Sequence, residues 1–158
     1  MSGRVVIIMG SKSDMDHVQQ IETQLARWGI PSEKRVASAH KSVRHLLQLL
    51  ASYADFQESL VYITVAGRSN ALGGMVDANT PFPVITCPPV SSTFAGADIY
   101  SSLRMPSGVA PTLVLDPKGA ALAAAKMLAF SDTTLKAKVI EYQQQMTETI
   151  VIDDQSLA

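Results

Sequence analysis

The sequence predicts an α/β protein: a three-layer αβα sandwich around a central parallel sheet, flavodoxin-like or Rossmann-like, with a long C-terminal helix. Two observations carry this. Short apolar runs recur at Val5–Met9, Leu60–Val65 and Val84–Thr86, as in strands covered on both faces. Helical patterns separate them, and strand-helix-strand alternation gives right-handed crossovers and parallel pairing. A third observation is functional. Polar turns follow the first three strands at Gly10-Ser11-Lys12-Ser13-Asp14, Ser38-Ala39-His40-Lys41 and Ala66-Gly67-Arg68-Ser69-Asn70. Loops beyond the carboxyl ends of such strands are where ligands bind in open α/β sheets.

Strands are expected at Val5–Met9, Glu33–Val36, Leu60–Val65, Val84–Thr86 and Thr112–Leu115. Asp14 reads as the N-cap of a first helix that presents Val18, Ile21, Leu25 and Trp28 and is closed by Gly29 and Pro31. Ser42 opens a second helix, with Val43, Leu46, Leu47, Leu49 and Leu50 on its apolar face. A short glycine-rich third helix lies near Leu72–Asn79, ending before Pro81. Ser91–Gly108 is a stretch of small and polar residues holding a short helix near Asp98–Arg104. Gly119–Phe130 is alanine-rich and helical. Such a helix is either central in the domain or buried against another subunit. The final helix is expected at about 132–151, packing on neighbouring subunits. All 158 residues are assigned to a single domain, 1–158.

Composition narrows the function. The chain is 47% hydrophobic and 17% charged with a formal net charge of −1, which provides no footprint for nucleic acid and no basic block for a membrane surface. One cysteine, Cys87, allows no internal disulfide and fits a reducing, cytoplasmic setting. Arg4–Met9 is too short, and too soon followed by Gly10-Ser11, for a signal peptide or membrane span. No H-x-x-x-H, C-x-x-C or paired-carboxylate spacing occurs, so no metal is expected. No cofactor is expected either.

The first turn places Gly10, Ser11 and Ser13 before a helix N-terminus, where free N–H groups favour an anion. It matches neither G-x-G-x-x-G nor G-x-x-x-x-G-K-[ST]. Asp14 would repel a phosphate dianion but accept hydrogen bonds from ribose, so a sugar phosphate suits the turn; Asp14 can equally serve as a helix cap. Histidine is the side chain suited to proton exchange in both directions near neutrality, and His40 stands beside Ser38 and Lys41. Lys41 could neutralise a phosphate as a mobile charge. Gly67, followed by Ser69, lets a planar ligand lie against the chain. His17 and His45 read as surface or packing residues. Pro88 and Pro89 stiffen a loop, and Cys87 lacks an adjacent base to make it a nucleophile.

Together, Met9–Asp14, Ser38–Lys41, Ala66–Gly74 and Tyr100-Ser101-Ser102-Leu103-Arg104-Met105-Pro106-Ser107-Gly108 resemble the phosphoribosylaminoimidazole carboxylase family of purine biosynthesis. The family has two classes. Mutases, which act on N5-carboxyaminoimidazole ribonucleotide, resemble Ser-Ala-His-Arg followed by Ala-Gly-Gly-Ala-Ala-His-Leu-Pro-Gly. This chain carries Lys41 and Arg68-Ser69-Asn70-Ala71 instead, and looks like the second class, which adds CO2 directly to 5-aminoimidazole ribonucleotide. The resemblance implies His40 as the acid–base residue. It also implies Ser11, Ser13, Asp14, Ser38 and Lys41 around ribose and phosphate, and N–H groups from Gly67 through Ser69, Ala71 and Leu72 orienting CO2. It further implies a homo-oligomer, usually an octamer, with Arg104 and Ser107 reaching a neighbour's site. Reaction without ATP, biotin or metal follows from the same resemblance. A flavodoxin-like binding module carrying flavin is the reading from a different class; such a protein would be yellow.

Overall fold

The computed structural model describes residues 3–157, and of Phe94 only the backbone; the ends of the expected domain, 1–2 and 158, lie outside the described residues. Five parallel strands, β1 (Arg4–Met9), β2 (Ser32–Val36), β3 (Leu60–Val65), β4 (Val84–Thr86) and β5 (Thr112–Leu113), form one sheet in the order β2-β1-β3-β4-β5. All five expected strands are present, with β5 ending two residues early. The order reverses between β1 and β3, which pair directly in register from Arg4↔Leu60 to Met9↔Val65. This is the flavodoxin-like order, whose switch point opens a crevice at the carboxyl ends of those two strands.

The strands divide their side chains between two cores. Val5, Ile7 and Met9 of β1, with Val61, Ile63 and Val65 of β3, pack against α1 (Met15–Trp28) and α5 (Pro117–Leu128). Val6, Ile8, Leu60 and Tyr62 point the other way, onto α2 (Val43–Ala51) and α3 (Ala71–Asp77). Alternate residues of a strand face opposite sides, so a continuous apolar run fills both cores at once. The alanine-rich helix is internal: Ala120, Ala121, Ala124 and Ala125 of α5 are fully buried. Alanine there lets α5 lie close against α1 and the sheet.

Local chemistry sets the helix ends. Gly29 stops α1 at φ 74°, a left-handed conformation that suits glycine. Asp116 accepts from Gly119 N–H at the start of α5, and Asp132 from Leu135 N–H at the start of α6 (Thr133–Gln155). Asp14 occupies the N-cap position of α1 but makes no cap hydrogen bond with its side chain. Its carboxylate turns back instead, as described below. α4 (Tyr100–Leu103) is preceded by a 3₁₀ turn at Ala97–Ile99.

The final helix runs further than expected, to Gln155, and is 23 residues long, roughly 34 Å at about 1.5 Å per residue. Only Leu135 and Val139 are buried in it, and Tyr142 meets Trp28 edge-on at 5.3 Å between ring centroids. Ile140, Met146, Ile150, Val151 and Ile152 are exposed. Among the described residues, no helix is long and apolar enough to cross a membrane.

The close approach of α5 makes a direct test. Ala124→Leu should lower stability by about 1–3 kcal/mol through overpacking, read as a shifted midpoint in urea unfolding; an unchanged midpoint would contradict the packing described.

Candidate active site

At the carboxyl edge of β1, β2, β3 and β4 the loops enclose a cavity of about 500 Å³, within the range of small-molecule sites. Ser11, Ser13 and Asp14 line it from the β1 loop, Ser38, His40 and Lys41 from the β2 loop, and Gly67, Ser69 and Leu72 from the β3 side. Nine of the ten site residues expected from sequence thus share one cavity; Ala71, first residue of α3, is not on its wall. Arg104 and Ser107 are exposed and stand outside this chain's own cavity.

The β1 turn is held by its own side chains. Ser11 Oγ accepts from Ser13 N–H at 3.2 Å and from Ser13 Oγ–H at 2.9 Å, while Asp14 Oδ2 accepts from Ser11 N–H at 3.1 Å. This is a reciprocal capping box around the 3₁₀ turn Lys12–Asp14, which explains why Asp14 does not cap α1. Burial pushes the Asp14 pKa up, opposed by the Ser11 N–H bond and the nearby His17.

After β2, Ser38 organises the turn that carries the histidine. Its Oγ accepts from His40 N–H at 3.3 Å and Lys41 N–H at 3.2 Å, and its own N–H donates to Ser42 Oγ at 2.9 Å. The backbone is fixed while the His40 side chain stays exposed on the cavity. A histidine so placed can exchange protons with both ligand and solvent.

The β3 loop is strained. Ser69 N–H donates to Gly67 C=O at 2.7 Å across Arg68, whose φ is 62°. A hydrogen bond spanning one residue at positive φ is the rarer, strained form of γ-turn. For a non-glycine residue this costs on the order of 1–3 kcal/mol and persists only where surroundings over-determine it. One expectation is narrowed here. Ser69 N–H is spent within the turn, and Asn70 N–H donates to Ser101 Oγ at 2.9 Å, so these two are not free for a ligand. Ala71 and Leu72 open α3, where N–H groups lack partners within the helix.

Gly10, Ala39, Ala66, Arg68, Pro89, Val90 and Ser91 also line the cavity without having been assigned as binding residues. Pro89–Ser91 follow β4 and resemble an ordinary stiffened loop in sequence; the only available signal was their place after a fourth parallel strand. His45 is exposed, as expected. His17 is half-buried beneath the β1 turn, with Nε2 3.4 Å from Cys87 Sγ. Burial lowers its pKa, opposed by a hydrogen bond to the Cys87 backbone and by the charges of Asp14 and Asp116. Cys87 itself is pushed up to about 12, first by burial and then by Asp116. That thiol is a packing group at neutral pH rather than a nucleophile. Among the described residues, no group of three or more His, Cys, Asp or Glu is arranged to hold a metal.

Fold and site thus define a class: a flavodoxin-like α/β protein with an exposed histidine in a polar cavity at the strand-order switch point. Comparison with known proteins makes this particular. The family model described as AIR carboxylase matches residues 4–149. A phosphoribosylaminoimidazole carboxylase of Archaeoglobus fulgidus is 51% identical over 154 residues, covering 98% of this chain and 84% of that protein. Another, of Treponema denticola, is 47% identical over 153 residues, covering 97% and 96%. The crystal structure of Treponema denticola PurE superimposes with a TM-score of 0.94 at 46% identity, covering 98% of each chain. The chain belongs to the AIR carboxylase family.

The half-buried His17 sets an acid limit. His17 has a folded pKa below its ordinary 6.5, so below about pH 6.5 the unfolded chain binds a proton that the folded one refuses. Stability should therefore fall as pH drops from 6.5 through the depressed folded value. In His17→Gln this component should vanish from a pH series of urea midpoints; an identical slope in both proteins would contradict the assignment.

Proposed function

We propose that this protein is a 5-aminoimidazole ribonucleotide carboxylase of purine biosynthesis, adding CO2 at C4 of the imidazole without ATP, biotin or metal. Family membership supports the reaction class. The observation that carries the mechanism is His40, exposed on a cavity whose other walls offer hydroxyls, a carboxylate and an ammonium group.

C4 of an aminoimidazole is enamine-like, with electron density from the exocyclic amine. It attacks the CO2 carbon, forming the C–C bond and leaving a carboxylate; C4 then carries both the new group and its original hydrogen, and the ring bears the positive charge. His40, as a neutral imidazole, takes that proton and the ring regains aromaticity. The proton leaves to solvent, for which the exposed side chain has a route. The reverse step, protonation of C4 by the imidazolium, makes the same residue serve decarboxylation.

The remaining groups position the reactants. Ser11, Ser13 and Asp14 hold the ribose and its neighbours, with Ser38 and Lys41 near the phosphate. In this reading the Asp14 carboxylate accepts from ribose hydroxyls. Gly67, with the N–H of Leu72 in the first turn of α3, orients CO2 and stabilises the developing carboxylate, while Ser69 lines the wall beside them and Ala71, set back from the wall, starts the helix. Holding both reactants replaces a dilute encounter with a near-attack arrangement, which makes biotin or ATP unnecessary.

The same reading makes the chain one carboxylase domain of a homo-octamer, with α6 packed on neighbouring subunits and Arg104 and Ser107 near a neighbour's site. The exposed Ile140, Met146, Ile150, Val151 and Ile152 of α6 support this, since apolar side chains gathered on a surface mark an interaction site. A free buried thiol suits a reducing compartment, and we place the enzyme in the cytoplasm.

Purified protein given 5-aminoimidazole ribonucleotide and bicarbonate-derived CO2, without ATP, should form the 4-carboxy product. Turnover of N5-carboxyaminoimidazole ribonucleotide alone would make it a mutase instead. His40→Asn should lower turnover at least roughly 100-fold with ribonucleotide binding retained; undiminished turnover removes His40 from the mechanism. Light scattering should give eight times the 16.9 kDa chain mass, and Ile150→Glu with Ile152→Glu should reduce it. A monomer in the wild type would contradict the assembly.

A further inference from the structure

The Tyr100–Gly108 stretch has a place in the family resemblance but no task in the mechanism above. One of its side chains reaches the strained β3 loop through Asn70. Asn70 is 2% exposed, and its Oδ1 accepts from Thr86 Oγ1–H at 2.8 Å and from Gly73 N–H at 3.3 Å. Because the Gly73 N–H can only donate, the oxygen faces it and Nδ2 points the other way, and the Thr86 hydroxyl is then the donor to that oxygen. The Asn70 N–H donates to Ser101 Oγ, which in turn donates to Asp98 C=O at 2.8 Å. One residue therefore joins the end of β4, the first turn of α3 and α4, directly after Gly67-Arg68-Ser69.

The fit is close. A Cβ on Gly73 would lie 2.9 Å from Asn70 Oδ1 and 3.1 Å from Thr86 Oγ1. Among the described residues, Asn70 Nδ2 is buried without a hydrogen-bond partner, as are Thr64 Oγ1, Asp98 Oδ2 and Ser102 Oγ. Buried polar atoms left unpaired are costly, and stability alone would favour apolar groups here. A γ-turn at Arg68 needs external bonds to hold it, and those to Asn70 are the nearest on its C-terminal side.

We propose that Asn70 is a positioning residue, clamped by Thr86 and Ser101, that holds the Gly67–Ser69 turn in the shape that receives CO2. This rests on the carboxylase reading given above. The clamp acts on the CO2 side of the cavity alone, because the β1 and β2 turns that hold the ribonucleotide are fixed by their own serines.

Thr86→Val keeps the side-chain volume and removes the donor; Thr86→Ser keeps the donor and removes a methyl group. Thr86→Val and Ser101→Ala should each raise the KM for CO2 about tenfold, the equivalent of one hydrogen bond, with the ribonucleotide Kd unchanged. Thr86→Ser, although less stable than Thr86→Val, should restore the wild-type KM. Wild-type KM values in Thr86→Val and Ser101→Ala, or losses that merely follow melting temperature, would overturn the proposal. Amide exchange over residues 66–73 gives a readout independent of turnover: both disruptive variants should exchange about tenfold faster there, with β1 unaffected. Unchanged exchange overturns the clamp even if the wild type were inactive. An inactive wild type with faster exchange in the variants overturns the carboxylase reading and leaves the clamp standing.

Discussion

Because all five strands run parallel, every loop leaving a carboxyl end is delivered to one edge of the sheet, and the reversal of order at β1 and β3 parts the loops there. That constraint brings together residues about 60 positions apart in sequence, from Gly10 to Leu72. Apolar packing supports it. β1 and β3 are buried almost throughout and filled on both faces, so their ends form a packed platform beneath the loops. The polar groups that line the cavity then sit at the rim, where the strands stop.

The rim shows how three turns with different tasks are built differently. Ser11 and Asp14 close a turn on itself, leaving hydroxyls and a carboxylate facing the cavity. Ser38 gathers two successive N–H groups and so fixes where His40 begins, without touching its ring. The Gly67–Ser69 turn stores strain, and the bonds from elsewhere in the fold meet Asn70, the residue directly after it. A site for a nucleophilic heterocycle and a small gas molecule has to fix the large partner firmly and shape a narrow space for the small one. Self-contained turns on one side and an externally clamped turn on the other meet those two needs.

Much of this was legible in the sequence for identifiable reasons. Val5–Met9 and Leu60–Val65 announce buried parallel strands because both faces need apolar residues. Gly29 marks the end of α1 because the chain there must take positive φ. Ser11 and Gly67 could be placed at one edge because each follows such a strand, and Ser38 and His40 because they follow the expected strand Glu33–Val36. Other features were hidden because they depend on partners far away in the chain. Asp14 looks like a cap until Ser11 N–H is seen to claim it. Asn70 looks like one more turn residue until Thr86 and Ser101 close on it. Gly119–Phe130 allowed burial inside or between subunits, and only the packing of Ala121 and Ala124 against the rest of this chain decides it. In α6, Tyr142 still meets Trp28, but Met146, Ile150, Val151 and Ile152 further along are exposed, so their apolar pattern follows no single face.

The account comes down to whether the His40 ring faces the carbon that gains CO2. A crystal structure of the protein with the carboxylated ribonucleotide bound measures this directly. The account predicts the phosphate beside Lys41 and Ser38, and a His40 ring nitrogen about 3–3.5 Å from C4 of the imidazole, the contact distance of reacting atoms. A ligand seated in this cavity with the His40 ring turned to solvent, and another titratable group at that carbon, would contradict it.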